Sequence, residues 1–377
     1  METYIPRHYQ DLGGFLKPNK VVVIFGPRQA GKTTLIRKYL ETTSFKYRLE
    51  TGDDLRMTTL FESNNFEHIR EFAAGYELIV IDEAQKIKDI GQGLKILTDY
   101  VKGVRVLVTG SSSFELAGQI GEPLTGRKIS LHLFPFSQSE LGKIYNPYDL
   151  KSKLHEFLIY GSYPEVVITQ DKNEKIRILN ELVGSYLLKD ILELDRVKSS
   201  KLLLDLLRQL AFQVGNLVSL TELSNSLQID YKTVARYLDL FEKSYVIYSL
   251  RGFSKNLRSE LTRKCKYYFY DNGIRNTLIS NFNPIDLRND HGMLWENFIF
   301  MERLKWRTYN DLFANTWFWR TYENKEIDLI EEREGKLYGY EFKWGNKIQK
   351  APGAWISNYP DASYQIINPE NYPEFIK

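Results

Sequence analysis

The stretch VVVIFGPRQAGKTTLIRKYL, Val21 to Leu40, decides the fold. Its centre, GPRQAGKT from Gly26 to Thr33, satisfies G-x-x-x-x-G-K-[ST] at every fixed position. An apolar, β-rich run precedes it and a segment with helical spacing follows. Strand, glycine loop and helix form the context in which such a loop cradles phosphate, and that context weighs against a chance match on a glycine-rich turn. The loop from Gly26 through Pro27, Arg28, Gln29 and Ala30 to Gly31 would aim its amides at phosphate oxygens, at the positive end of a helix. Lys32 would reach the β- and γ-phosphates, and the Thr33 hydroxyl, with Thr34 beside it, would ligate Mg²⁺.

Working outward, ELIVIDEAQ (Glu77–Gln85) is an apolar strand that ends in two acids. Asp82 would hold the Mg²⁺, and Glu83 would orient and polarise an attacking water. The competing reading, two charges closing a buried strand, weakens beside the phosphate loop. VRVLVTGSSS (Val104–Ser113) ends in hydroxyls, so that Ser111, Ser112 or Ser113 either senses the γ-phosphate or sits in a serine-rich turn. LTGRK supplies Arg127, which either stabilises transition-state charge, in cis or from a neighbouring copy, or is a solvated residue before a strand.

Runs VVVIFG, FKYRLE, ELIVIDE, VRVLVTGSS and KISLHLF read as strands, several nearly continuous in hydrophobicity, as strands covered on both faces should be. Helical stretches such as TTLIRKYLE and IGQGLKILTDYV separate them, which predicts a parallel sheet covered by helices. Beyond FPFS the pattern turns helical, with LKDILELDRV and SSKLLLDLLRQLAFQV the clearest cases. SLTELSNSLQIDYKTVARYLDLFEKSYVIYSLR then reads as a short helix, a turn, a longer helix and a hairpin, the order of a winged helix-turn-helix. The groove-facing start of its second helix would carry Asp230, Tyr231, Lys232, Thr233 and Arg236. Its hairpin is basic, with Arg251, Lys255, Arg258, Arg263, Lys264 and Lys266. Such a strip either neutralises nucleic-acid phosphates or serves as a packing or protein-contact surface.

The last part offers a helix (MLWENFIFMERLKW), paired strands (TWFWRTY and KEIDLIE) and a third strand (LYGYEFKW). Alternation along YGYEFKWG puts Glu341 and Lys343 on one face and Tyr340, Phe342 and Trp344 on the other. The aromatic face is the natural core side, leaving the acid and lysine in a polar cleft. With Asp328 on the preceding strand, two carboxylates and a lysine suit a metal-dependent phosphodiesterase, or else an ordinary charged sheet face.

The chain has 377 residues, enough for two or three domains, and its formal charge of +3 makes any basic surface local. Its one cysteine, Cys265, excludes an internal disulfide and argues for a reducing compartment. METYIPRHYQ lacks the apolar core of a secretory signal, and no run approaches the ~20 apolar residues of a membrane span, so the expected location is cytoplasmic and no membrane partner is expected.

GPRQAGKTTL, VIDEAQ, VTGSSSF, LTGR, YGSYPEVV, YLLKDILEL, LWENFI and EIDLI…YEFKW occur in this order along nearly the whole chain. The set resembles the prokaryotic AAA-type P-loop ATPases that carry a C-terminal domain of unknown function, DUF4143. The resemblance implies ATP binding, a winged-helix middle and a C-terminal restriction-endonuclease-like fold. In that pattern Asp328, Glu341 and Lys343 fall where such a fold keeps its metal-binding acids and lysine, with Glu296 as the upstream helical carboxylate. The proline before the first acid is absent, Ile327 standing in its place.

The expected fold is therefore α/β: an N-terminal P-loop parallel sheet (1–139), a helical region with a winged helix (140–288) and a small endonuclease-like α/β domain (289–377). The expected function is an ATP- and Mg²⁺-using switch or motor whose distal domains contact DNA. The rivals are an ATP-gated Mg²⁺-dependent nuclease and a protein-binding regulatory ATPase with an inactive nuclease-like domain. Oligomerisation is compatible with each.

Overall fold

A computed structural model describes residues 4–110, 120–187, 200–253, 265–321, 323, 325–345 and 350–377. The chain forms two compact units: residues 6–135 with 243–245, and residues 1–5, 136–242 and 246–377.

The first unit alternates strand and helix: β1 (Val21–Phe25), α1 (Lys32–Leu40), β2 (Tyr47–Thr51), α2 (Leu55–Glu62), α3 (Phe66–Ala73), β3 (Leu78–Asp82), α4 (Ile90–Tyr100), β4 (Arg105–Gly110) and β5 (Lys128–His132). The five strands are all parallel, in the order β2-β3-β4-β1-β5. Each of the five β-rich runs thus becomes a strand. Every residue of β1 is buried, as are Leu78–Ile81 of β3 and Val106–Gly110 of β4, which is why these strands lack a polar alternation. Helix α1 buries Leu35, Ile36, Tyr39 and Leu40, one apolar stripe at helical spacing. Because all strands run one way, their C-terminal ends share one edge, with Phe25 opposite Gly110 and Thr51 opposite Asp82.

The second unit contains α5 (Ser200–Phe212), β6 (Leu217–Val218), α6 (Leu220–Leu227), α7 (Tyr231–Lys243), β7 (Ile247–Leu250) and β8 (Cys265–Phe269). These are followed by α8 (His291–Tyr309), β9 (Asn315–Arg320), β10 (Glu326–Arg333), β11 (Lys336–Phe342) and β12 (Ser363–Ile367). Short helices between Gln138 and Glu181 precede them. The segment LKDILELDRV, expected to be helical, lies outside the described residues. Two sheets result, β6-β8-β7 and β12-β11-β10-β9. The second has an antiparallel centre, with β12 added parallel to β11 from the tail. The main core runs through the unit, with Leu207, Leu210, Phe241, Tyr268, Trp295, Phe298, Tyr340 and Ile367 in one buried cluster, and a smaller cluster of Trp319, Ile327, Ile330 and Trp355 lies beside the last sheet. Among the described residues no helix is long and apolar enough to cross a membrane.

Helix α8 ties the two sheets together. Asn297 accepts from Phe269 N at 2.7 Å and donates to Phe269 O at 2.9 Å, so its amide closes β8 as a neighbouring strand would. Trp295 is fully buried and its indole donates to Ile367 O at 3.3 Å. The Phe300 ring stacks on Tyr268 with centroids 4.1 Å apart.

Candidate functional site

The phosphate-loop motif sits where β1 turns into α1. Gly26 passes against β5 so closely that a Cβ there would lie 2.0 Å from Leu133 O, which excludes any side chain. Gln29 and Gly31 adopt positive φ of 57° and 94°, the alternation that turns successive amides into a concave nest. No side chain caps α1 at Gly31, so the amides of its first turn face the nest rather than a cap. Lys32 is buried and donates to Gly26 O at 2.8 Å and Pro27 O at 2.9 Å. A residue outside the motif braces the loop: buried Arg7 donates to Ala30 O at 2.7 Å and Phe134 O at 2.5 Å.

The acidic pair lies across from this loop. Thr33 Oγ1 donates to Asp82 Oδ2 at 2.7 Å, joining α1 to the end of β3. Strand β4 lies between β1 and β3, and its Thr109 donates to the other oxygen of Asp82, Oδ1, while accepting from Glu83 N at 2.9 Å. Glu83 has a left-handed backbone, φ 52°, which turns the chain sharply at the end of β3. The Gln85 amide donates to Glu83 Oε2 at 2.6 Å and holds that carboxylate. The two hard oxygen donors, Thr33 and Asp82, are the type that Mg²⁺ takes beside phosphates. Ser111, Ser112 and Ser113 lie outside the described residues.

The in-cis role of Arg127 does not hold. Arg127 directly precedes β5, its carbonyl accepts from Val21 N at 2.9 Å, and it therefore lies at the N-terminal edge of the sheet, opposite the loop. Its guanidinium pairs with Asp99 at 2.8 Å.

In the second unit, the nuclease-like candidates do converge. Leu329 pairs with Tyr340, which sets Asp328 beside Glu341 on the adjacent strand. A bulge between Ile327 and Ile330, opposite β9, re-aims Asp328. Tyr340 and Phe342 are buried, as the aromatic face was expected to be, but Glu341 is buried as well, so the acid is not left in an open cleft. Lys343 pairs with Glu341 at 2.6 Å.

Lys266, read from the sequence as one of the basic hairpin residues, is no phosphate contact. It is 2% exposed and its ammonium lies 3.1 Å from Glu296, 2.5 Å from Glu326 and 3.3 Å from Asp328. Burial and the charge of Asp328 push Glu296 up to about 7 against the pull of Lys266; burial and Asp328 do the same to Glu341, against Lys343. Burial alone would lower Lys266, but Glu296 and its neighbours outweigh it and hold the group above its ordinary value, so the ammonium stays charged. Among the described residues no group of three or more His, Cys, Asp or Glu side chains is placed to hold a metal ion.

Residues 18–142 match the family model described as an AAA domain, and residues 291–366 match the domain of unknown function DUF4143. The chain is an AAA-type P-loop protein with a C-terminal DUF4143 domain. Residues 151–285 between them match a further domain of unknown function, DUF8612. An uncharacterized protein of Mycobacterium tuberculosis is 27% identical over 326 residues, covering 86% of this chain and 70% of its own. One of Methanocaldococcus jannaschii is 26% identical over 356 residues (88% and 77%) and one of Haemophilus influenzae is 25% identical (88% and 84%). Among solved structures, a Walker-type ATPase of Pyrococcus abyssi aligns at 15% identity with a TM-score of 0.47, covering 69% of this chain and 91% of that one.

In the DUF8612-matched segment of this AAA–DUF4143 chain, Tyr231, Lys232 and Arg236 are exposed at the start of α7. Two expected groove residues are used up locally: Asp230 accepts from Thr233 N at 3.0 Å and from its hydroxyl at 2.5 Å, capping the helix. Lys255, Arg258, Arg263 and Lys264 lie outside the described residues; Arg251 is exposed.

Proposed function

We propose that this chain binds ATP with Mg²⁺, hydrolyses it, and uses the nucleotide state as a switch that its distal segments convey to DNA. The observation that carries the reading is the 2.7 Å contact of Thr33 with Asp82, with Glu83 next in sequence and the Lys32 ammonium resting on the loop carbonyls. Gly26–Thr34 would wrap the phosphates, and Lys32 would exchange Gly26 and Pro27 for β- and γ-phosphate oxygens. Thr33 and Asp82 would hold the Mg²⁺, which when bound neutralises charge between the phosphates. Glu83 would polarise the attacking water, held in aim by Gln85. Thr109 would hold Asp82 and the Glu83 backbone in place, and Ser111, Ser112 or Ser113 would sense the γ-phosphate. Arg127 has a catalytic part only if it acts on a neighbouring copy. The division 1–139, 140–288 and 289–377 is supported as the functional one by the separately matched stretches.

The direct test is binding of a fluorescent ATP analogue and phosphate release by purified protein, with and without Mg²⁺ and DNA. Absence of Mg²⁺-dependent release in every condition rejects the hydrolytic reading. Within it, Thr109→Val should lower kcat roughly 10–100-fold, the usual effect of losing a group that orients the groups at a metal site, with little change in ATP affinity. Thr109→Ser should restore turnover, because the hydroxyl returns.

DNA contact is supported by the winged-helix order of α6, α7, β7 and β8 and by the exposed Tyr231, Lys232 and Arg236. Changing Lys232 and Arg236 to Glu should weaken DNA binding across sequences and reduce the slope of log K against log salt by roughly 2. An unchanged slope points instead to a protein-contact surface. The rival with an inactive endonuclease-like C-terminal domain and protein partners is favoured over an active nuclease by the placement of Lys266.

A further inference from the structure

The acids of the DUF4143 segment come from two elements, Glu296 from α8 and Glu326 and Asp328 from β10, and they meet at one point. The Lys266 ammonium stands at that point, with three N–H donors for three carboxylates. Its backbone is paired on both sides, with Leu217 of β6 and Leu250 of β7, which fixes the point from which the side chain reaches the acids. The same carboxylates have further partners from the same unit, on the second oxygen of Asp328 and of Glu326 and on the Lys266-bound oxygen of Glu296. Tyr268 donates to Glu296 at 2.8 Å, Phe342 N to Asp328 at 2.9 Å, and Arg320 to Glu326 at 3.1 Å. Gly215, at φ +74°, passes over the Glu296 carboxylate so closely that a Cβ there would lie 2.9 Å from it. The charge of the cluster is thus partly offset by Lys266 and Arg320, and its Glu296 side is covered by the segment that precedes DUF4143.

We infer that Lys266 is the resident cation of this cluster, a tethered ammonium in place of a divalent metal, and that it closes the C-terminal domain to phosphodiester hydrolysis. The clause about hydrolysis rests on the endonuclease-like reading of that domain; the cation assignment stands on the contacts alone. A hard dication needs about six oxygen ligands at short range, and here the Lys266 ammonium already takes the point where the three carboxylates meet, so a metal ion would have to displace it. Nucleic acid meets the same obstacle, since the Gly215 turn occupies the approach to Glu296.

Variants of the full chain test this. Lys266→Met should lower Tm by roughly 10 °C, because removing one partner strands buried charge. Lys266→Met combined with Glu296→Gln and Asp328→Asn should regain most of that loss, since the one acid left charged, Glu326, keeps Arg320 as its partner. An unchanged Tm in Lys266→Met, or a triple variant no more stable than the single one, overturns the assignment. Mn²⁺ binding by electron paramagnetic resonance should be the same in wild type and Asp328→Asn. Wild-type Mn²⁺ binding that Asp328→Asn abolishes, or wild-type cleavage of plasmid with Mn²⁺ that Asp328→Asn abolishes, also overturns it. Lys266→Ala that gains a Mn²⁺ site removed by Asp328→Asn supports the inference together with the endonuclease-like reading. Stability rescue without that gain supports the cation assignment and removes the endonuclease-like reading.

Discussion

Glu83→Gln should bind ATP as the wild type does and hydrolyse it about 10²–10⁴ times more slowly, the usual weight of a positioned general base. The substitution keeps the length and shape of the side chain and takes away only the charge that polarises water. Its surroundings favour a clean result. The Gln85 amide that now donates to Glu83 Oε2 at 2.6 Å can donate equally to the new side-chain carbonyl. The backbone link from Glu83 N to Thr109 does not involve the side chain, so Asp82 keeps its partners. Single-turnover phosphate release, read beside equilibrium affinity for a fluorescent ATP analogue, separates the two effects. Turnover equal to wild type would remove Glu83 from the mechanism; a parallel fall in affinity would make it a binding residue instead.

Lys32→Ala acts on the earlier step. It should raise the Kd for ATP by about 100-fold, within the range for truncating one member of a buried, hydrogen-bonded charge pair. In the structure described here the ammonium donates to Gly26 O and Pro27 O, so it is held at the loop before any phosphate arrives. The variant also takes a buried side chain from the start of α1. A melting curve should therefore accompany the titration, with an unchanged Tm assigning the loss to binding. ATP affinity within a few-fold of wild type in a folded variant would mean that the loop holds a different ligand.

The parts of the site legible in the sequence are those written in one contiguous run. GPRQAGKT specifies a loop because its glycines, lysine and threonine act within one turn, and VIDEAQ marks a strand end because two acids follow four apolar residues. Thr109 left a fainter trace, a lone hydroxyl in the apolar run VRVLVTG. Arg7 left none, because its partners Ala30 and Phe134 are 23 and 127 residues away. Arg127 was misplaced for a reason available in advance: in an all-parallel sheet a residue just before a strand lies at the edge away from the loop. Lys266 is the instructive failure. Its neighbours in sequence are basic and its own strand is short, so local pattern made it a surface charge. Only the packing of β8 against α8 and β10 turns it inward to Glu296, Glu326 and Asp328.

The main core shared by residues 136–242 and 246–377 bears on inheritance as well as on folding. The stretches 151–285 and 291–366 match two separate family models, as if each were a cassette that recombination could move alone. Yet Asn297 completes β8, Phe300 stacks on Tyr268, and Trp295 is fully buried in the cluster that also holds Leu207 and Phe241. A genome that transplanted 291–366 without its predecessor would deliver a helix with its apolar face open and three acids without their ammonium. The two stretches should therefore travel between genes as one heritable block, with the first unit, which has its own sheet, as the part free to be exchanged.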